Sequence, residues 1–459
     1  MSNKVYYLAV DIGATSGRVM LGTLKNGKIA TEELHRFSNG AVRRNGHLCW
    51  EVDRLFLEIK KGMRKCTEMG ISPKSISVDC FGVDFVLLDK DGNIVGDTVS
   101  YRDNRTAGLS EKAPLSHYEL YRRTGMEDGE ISSVYQLLYL KNETNELDKA
   151  ARFLHLPDYL NYLLTGIDAN EFTVSQTSSL VNVETGDYDG KTLAELGIPK
   201  RLFKKPLLPG TVLGRIQPEI AAETGIDCDV VLSASHDTVS AAVAVPCSDD
   251  CIFISSGTWS MIGTYIPDAI ICEDNGELFC SMQIDDGHYG FIRGITGLWM
   301  ITAIKRELAD KYTYDELCEL AQESTYQEII DIDDDIFAAP ASMLEAVNTY
   351  IAEKGQSPIK SLGDAIRCIY RSLAEKYAKN VKLIEKITGK KYENIYIVGG
   401  GSRDWYLNKL TAEFTGKKIY AGPTEATAIG NIAAQLKAAG VYSSLWESKA
   451  AVEKPVQVS

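Results

Sequence analysis

The sequence predicts an α/β chain built of two similar halves. Three observations carry that reading: a strand–turn–strand phrase that occurs twice, a length too great for one core, and strands interleaved with amphipathic helices. The phrase reads first as Leu8-Ala9-Val10-Asp11-Ile12-Gly13-Ala14-Thr15-Ser16-Gly17-Arg18-Val19-Met20-Leu21-Gly22. It returns as Ile252-Phe253-Ile254-Ser255-Ser256-Gly257-Thr258-Trp259-Ser260-Met261-Ile262-Gly263, with Gly13 and Gly257 separated by 244 positions. A tight turn of small residues presents backbone N–H groups and hydroxyls, which suit phosphate oxygens. Two such turns predict two halves holding one phosphorylated ligand. The copies differ in charge: Asp11 closes the first strand where the second copy has Ser255. A carboxylate repels phosphate, so Asp11 is expected to hold a cation such as Mg²⁺.

At 459 residues the chain fits two domains, expected at 1–245 and 246–459. The 49 Lys and Arg against 63 Asp and Glu give a net charge of −14, which argues against nucleic acid or an anionic membrane as partner. The hydrophobic share of 44% is that of an ordinary globular protein, and no apolar run reaches the length of a membrane span. Met1-Ser2-Asn3-Lys4-Val5 leads straight into a strand, so no leader is expected and the cytoplasm is the expected location. The ten Cys residues are scattered, and Cys247 and Cys251 form CxxxC without a His pair; all are expected to be reduced thiols.

In chain order, a third strand is expected from Lys28 to Arg36, and Val52, Leu55, Phe56, Ile59 and Met63 mark an amphipathic helix. A buried strand follows at Ser75 to Asp79. Next comes an expected hairpin, Val83 to Leu88, turning at Asp91-Gly92 into Asn93-Ile94-Val95. Residues 115–225 are more helical and read as an elaboration of the first domain, walling off a substrate. Val230-Val231-Leu232 is a strand leading to Ser235-His236-Asp237-Thr238, where a small-residue helix begins; residues 244–250 form the expected boundary. In the second half, the hairpin at 251–266 precedes a β segment ending near Phe291 and a long helix from Leu362 to Ile387. Asn394 to Val398 then runs into Gly399-Gly400-Gly401, followed by helices at 404–416 and 424–440 around a strand at 418–421.

Two motifs are decoys. Gly22 to Ile29 has P-loop spacing but carries Ile29 where Mg²⁺ needs a hydroxyl, and reads as a turn at Asn26-Gly27. Gly186 to Thr192 is one residue short of that spacing, and no GxGxxG follows any strand. Other motifs carry chemistry but keep structural readings beside them. Gly399-Gly400-Gly401 is either a site of close approach for a flat ligand or phosphate, or a tight strand-to-helix turn. Asp237 at a strand end is placed to accept a proton from a hydroxyl during phosphoryl transfer, or is structural like many lone carboxylates. Gly82 would let a ligand near the backbone, while Asp84 either bonds sugar hydroxyls or pairs with Arg102 or Arg105.

Taken together these residues resemble the FGGY carbohydrate kinases, and within them the rhamnulokinases, over almost the whole chain. The resemblance rests on Asp11 to Arg18, Gly82 to Asp89, Tyr101-Arg102-Asp103-Asn104-Arg105-Thr106 and Pro157-Asp158-Tyr159. It continues through Ser235 to Thr238, Ser255 to Ser260, Val398 to Gly401 and Gly422-Pro423-Thr424-Glu425-Ala426. It implies two actin-like (ribonuclease H-like) domains with ATP in the cleft between them, closing to exclude water. It implies Asp237 as the base; Gly82, His236 and Thr238 lining the sugar; Ala14, Thr15, Ser16, Gly17, Arg18, Thr258 and Gly401 facing ATP; and Asp11 near Mg²⁺. The implied reaction converts L-rhamnulose and ATP to L-rhamnulose 1-phosphate and ADP, in a monomer or homodimer. Two positions depart from the family pattern. Arg293-Gly294 stands where an Asn would face the sugar, and Thr302 replaces a Gln near ATP. Another ketose, such as fuculose or xylulose, is therefore the alternative substrate. From another class, a non-catalytic actin-like ATP-binding sensor is the alternative function.

Overall fold

Both hairpins form, because each places an apolar strand on either side of a turn that small residues can make. The computed structural model describes residues 4–127, 129–247, 250–272, 278–285, 287–338 and 340–458. The strand Tyr6–Ile12 runs antiparallel to Ser16–Lys25, with Ile12 opposite Gly17. Ile252–Ser256 runs antiparallel to Trp259–Ile266, with Ser256 opposite Ser260. The chain divides into two units: Met1–Ala244 with Ile266–Phe291 and Ala426–Glu453, and Val245–Tyr265 with Ile292–Glu425 and Lys454–Ser459. Part of the expected boundary (Ser248, Asp249) and of the β segment expected before Phe291 (273–277, 286) lies outside the described residues.

In the first unit a six-stranded sheet is ordered Lys28–Ser38, Ser16–Lys25, Tyr6–Ile12, Ser75–Cys80, Asp229–Val231, Val212–Arg215. Its three inner strands from Tyr6–Ile12 to Asp229–Val231 are parallel and its flanks antiparallel. Asn26 and Gly27 both take positive φ (53° and 75°), making the two-residue turn into Lys28–Ser38. The helix Val52–Glu68 buries Val52, Leu55, Ile59, Met63 and Cys66 against this sheet, its i, i+3, i+4 stripe joining one apolar cluster with Leu8, Val10 and Val78.

Two segments beyond residue 246 pack in this unit. The helix Ala426–Ala438 lies on the sheet so closely that a Cβ on Gly22 would fall 2.2 Å from Ile432 Cδ1. Its Asn431 and Gln435, one turn apart, meet the polar face of the strand Ser75–Cys80. Asn431 Nδ2 donates to Asp79 Oδ2 (2.6 Å), and Ser75 Oγ to Gln435 Oε1 (2.6 Å).

The second unit repeats the logic with other residues. Ile252–Ser256 is parallel to Asn394–Val398, which is parallel to Lys418–Ala421, and Val456–Gln457 closes the edge antiparallel. The helix Leu362–Thr388 is capped by Ser361, whose side chain accepts from Asp364 N, and ends at Gly389 in the left-handed region. Trp405–Thr415 is capped by Asp404 and terminated by Gly416.

Two expectations are corrected. The strand Phe85–Leu88 has its long antiparallel partner in Arg152–His155, and the expected return at Asn93–Val95 forms only as a short pairing, with Asp89 N donating to Asn93 O (2.9 Å) and Val95 N to Leu87 O (2.8 Å). That return is a Leu88–Ile94 bridge closed by a side-chain-made turn, in which Asp89 Oδ1 accepts from the N–H groups of Asp91 (2.8 Å) and Asn93 (2.9 Å). Cys247 and Cys251, expected as free thiols, form a disulfide; four positions apart, their Cα atoms sit 6.6 Å from each other, within bridging range. Among the described residues no helix is long and apolar enough to cross a membrane.

Candidate active site

Ligands of open α/β sheets bind at the carboxyl ends of parallel strands, and in the first unit three carboxylates gather there. Asp11 and Asp79 are register partners on neighbouring parallel strands. The segment leaving Asp229–Val231 stays beside them, with Cys80 N donating to Ser235 O (2.8 Å) and a parallel bridge between Cys80 and His236. Asp237 is then the first residue of the helix Asp237–Val243.

Burial, followed by the neighbouring charge of Asp11, pushes the Asp237 carboxyl up to about 7. Its side chain nevertheless keeps 32% exposure, so one face is open to an incoming hydroxyl. Thr238 Oγ1 donates to Asp237 Oδ1 (3.3 Å). His236 Nε2 lies 3.6 Å from the same oxygen, too far for a hydrogen bond, and burial lowers this imidazole to about 4. A neutral His236 therefore brings no positive charge to Asp237. A carboxylate poised near neutrality is the form a general base needs.

Asp79 was missed by sequence reasoning. It is fully buried and held well above the usual carboxylate range, first by burial and then by the charge of Asp11. Its Oδ2 accepts from Asn431, while its buried Oδ1 meets no hydrogen-bond partner among the described residues. The available signal was the period-two pattern of Ser75, Ser77 and Asp79, which places three polar side chains on one face of a central strand.

The Ala14–Arg18 turn is tied by its own backbone and by Asn39. Gly13 N donates to Ser16 O (2.9 Å), Asn39 Nδ2 to Gly13 O (2.8 Å) and Asn39 N to Thr15 O (2.9 Å). Thr15 is exposed at the tip, with Ala14 and Ser16 half-buried. Gly17 is buried under Phe37, whose ring would lie 2.2 Å from a Cβ there. Arg18 Nη2 donates to Asp11 Oδ2 at 2.6 Å, joining the residue expected at ATP to the one expected at the cation.

Gly82 is buried, and a Cβ would fall 2.7 Å from Thr177 Cγ2. Beside it Val83 has φ +68°, a costly conformation for a β-branched residue. Side chains hold it there: Thr177 Oγ1 accepts from Val83 N (2.9 Å) and Ser133 Oγ donates to Val83 O (2.5 Å). Asp84 makes no ion pair with Arg102 or Arg105 among the described residues. It accepts from Trp50 Nε1 (2.5 Å), Tyr101 N (3.0 Å) and Gln136 Nε2 (3.0 Å), and burial pushes it up to about 6. Arg105 instead donates to Gln136 Oε1 (2.8 Å).

In the second unit, Thr258 is exposed at the turn, while its carbonyl accepts from Trp299 N (3.2 Å). The three glycines have separate reasons. Gly399 has φ +83°, and Gly401 is buried with its would-be Cβ 2.2 Å from Ser256 Oγ. Gly400 is exposed and open, with nothing within 4 Å of its would-be Cβ. Gly294 is exposed on the strand His288–Thr296, and Thr302 Oγ1 lies 3.3 Å from Tyr314 OH.

Among the described residues no three His, Cys, Asp or Glu side chains are spaced to hold a metal by themselves. Asp11 fits a cation that takes most of its ligands from phosphate and water, as Mg²⁺ does, provided Arg18 releases it.

Residues 6–244 match the FGGY family of carbohydrate kinases, N-terminal domain, and residues 252–439 its C-terminal domain. The chain belongs to the FGGY family of carbohydrate kinases. It is 41% identical over 438 residues to the rhamnulokinase of Oceanobacillus iheyensis, covering 94% of this chain and 93% of that one. It is 40% identical over 456 residues to the rhamnulokinase of Halalkalibacterium halodurans, covering 97% and 96%. The fold matches a ligand-bound xylulose kinase from Lactobacillus acidophilus with a TM-score of 0.82 at 19% identity, covering 98% and 93%. The protein is thus an α/β phosphotransferase that uses ATP and a sugar.

Proposed function

We propose that the chain phosphorylates L-rhamnulose to L-rhamnulose 1-phosphate, with Asp237 as general base. The Asp237 carboxylate takes the proton of the sugar hydroxyl; the freed oxygen bonds to the γ-phosphorus of ATP as the bond to the β–γ bridging oxygen breaks and ADP leaves. The observation that carries this reading is Asp237 itself: raised to about 7, a third exposed, and next to a neutral histidine. Gly82, His236 and Thr238 are assigned to the sugar. Ala14 to Arg18, Thr258 and Gly401 are assigned to the nucleotide, with Gly400 added because its surroundings are open. Asp11 is assigned to Mg²⁺, which when bound neutralises phosphate charge. The names of the relatives in Oceanobacillus iheyensis and Halalkalibacterium halodurans support L-rhamnulose as the sugar. ADP release measured across L-rhamnulose, fuculose, xylulose and polyols tests the choice. The highest kcat/KM is expected for L-rhamnulose. A higher value for another ketose overturns the substrate, and ADP release independent of every sugar overturns the transfer.

A further inference from the structure

The loop that delivers Asp237 is held from outside its own strand. Ser235 N donates to Glu171 Oε2 (3.2 Å) and His236 N to Thr173 Oγ1 (3.2 Å), so the two backbone groups preceding Asp237 are both engaged by side chains of one short segment. Having accepted from His236, Thr173 turns its own hydroxyl proton to Glu171 Oε2 (2.7 Å), and Val174 N donates to that same oxygen (3.0 Å). One carboxylate oxygen thus gathers three donors. The segment is anchored in turn, since Glu171 N donates to Asp158 Oδ1 (3.0 Å) and Phe172 N to Leu207 O (2.9 Å). Glu171, Thr173, Ser235 and Asp158 are all essentially inaccessible to solvent. Water therefore cannot replace a lost partner, and each bond is costly to leave unmade.

We infer that Glu171 and Thr173 are positioning residues for the base, fixing the Ser235–His236 backbone so that the Asp237 carboxylate meets the sugar hydroxyl. The inference rests on Asp237 being that base. The acceptor role needs only Oε2; the other oxygen of Glu171 is buried without a hydrogen-bond partner among the described residues. An amide whose oxygen takes the Oε2 place preserves all three bonds, and so does a serine hydroxyl in place of Thr173. Valine at 173 keeps the shape of threonine but leaves the His236 N–H without its acceptor.

The test is steady-state kinetics of the full chain with L-rhamnulose and ATP. Thr173→Val and Glu171→Ala should lower kcat about 10- to 100-fold, the scale of a misplaced catalytic group, with the sugar KM within about twofold. Thr173→Ser and Glu171→Gln should keep kcat within about threefold of the parent, since their hydrogen bonds survive. Combined with Asp237→Asn, the disruptive changes should cost nothing further, because the group they position is gone. Multiplicative losses in that double variant, or a raised sugar KM with kcat unchanged, overturn the inference. Where a disruptive variant does not fold, the conservative pair still decides: a tenfold loss in Thr173→Ser or Glu171→Gln sinks it. If Asp237→Asn alone turns over normally, the base assignment fails; if Asp237→Asn is crippled while Thr173→Val matches the parent, the positioning role fails.

Discussion

The two hairpins share a backbone and differ in charge. Each places an antiparallel strand pair beside a parallel strand: Tyr6–Ile12 beside Ser75–Cys80, and Ile252–Ser256 beside Asn394–Val398. In the first unit those ends carry Asp11 paired with Arg18, and Asp79 held by Asn431. In the second they carry Ser255, Ser256 and a run of three glycines. The same geometry thus yields an electrostatic site once and a surface of close approach once. Carboxylates crowded in a buried place share their protons unevenly, which is what acid–base work requires. Glycines against hydroxyls leave room for a backbone to meet a ligand.

The largest effect that breaks the comparison is expected at Asp237. Asp237→Asn should lower sugar phosphorylation by about 10²–10⁴-fold while nucleotide binding persists, measured by coupled ADP release and by calorimetry. Near-normal turnover would falsify the base assignment.

The next effect is on pH. The proposed base, raised to about 7 in the free protein, is protonated below that value, so kcat/KM should fall about tenfold per unit beneath it. The groups near it are Asp11, which raises it, Asp79, whose own carboxyl it raises in turn, and His236, which stays neutral above about 4. The sign for stability is opposite to the usual carboxylate. The folded state keeps this proton up to about pH 7 while the unfolded chain releases it near 3.9, so the stability it contributes is lost as pH rises between them. The Tm of Asp237→Asn relative to the parent should therefore be higher at pH 8 than at pH 4. A Tm difference independent of pH would contradict the raised carboxyl.

A third effect separates the roles of the charged pair. Asp11→Asn should raise the Mg²⁺ concentration needed for half-maximal activity, because one hard oxygen ligand is lost. An unchanged Mg²⁺ titration would remove the cation from the Asp11 assignment.

The smallest effects sharpen the comparison within the second unit. Gly401→Ala should destabilise the fold by about 1–3 kcal/mol, since its Cβ would sit 2.2 Å from Ser256 Oγ. Gly400→Ala should leave the stability within about 0.5 kcal/mol of the parent and raise the KM for ATP, because only a ligand competes for its open space. Equal Tm losses in the two variants would mean that the glycines serve the turn alone.

Local chemistry was legible in the chain. The apolar runs with glycine turns, the Asn26-Gly27 turn and the stripe of Val52 to Met63 each specify a short-range geometry, and each formed. The positions of the motif residues were legible too: Asp11 closes a parallel strand and Asp237 opens a helix, as their order along the chain implies. Pairings between distant segments were not. Nothing within Phe85–Leu88 names Arg152–His155 as its partner, whereas the short local return, turned by the Asp89 side chain, is specified by adjacent residues. The Cys247–Cys251 bridge was misread because CxxxC spacing alone does not say how the backbone turns between the thiols.

The sequence by itself determined that the chain repeats a strand–turn–strand phrase of small residues, puts a carboxylate beside only one copy, and follows a strand with Ser235-His236-Asp237-Thr238. Only the tertiary structure decided which carboxylates share a dielectric environment. Burial of Asp79 under Asn431, 352 positions away, and of Ser235 against Glu171, 64 positions away, follows from how helices pack on the sheet. Desolvation and proximity set how firmly a proton is held and how precisely a base is aimed, and both are properties of packing rather than of residue order.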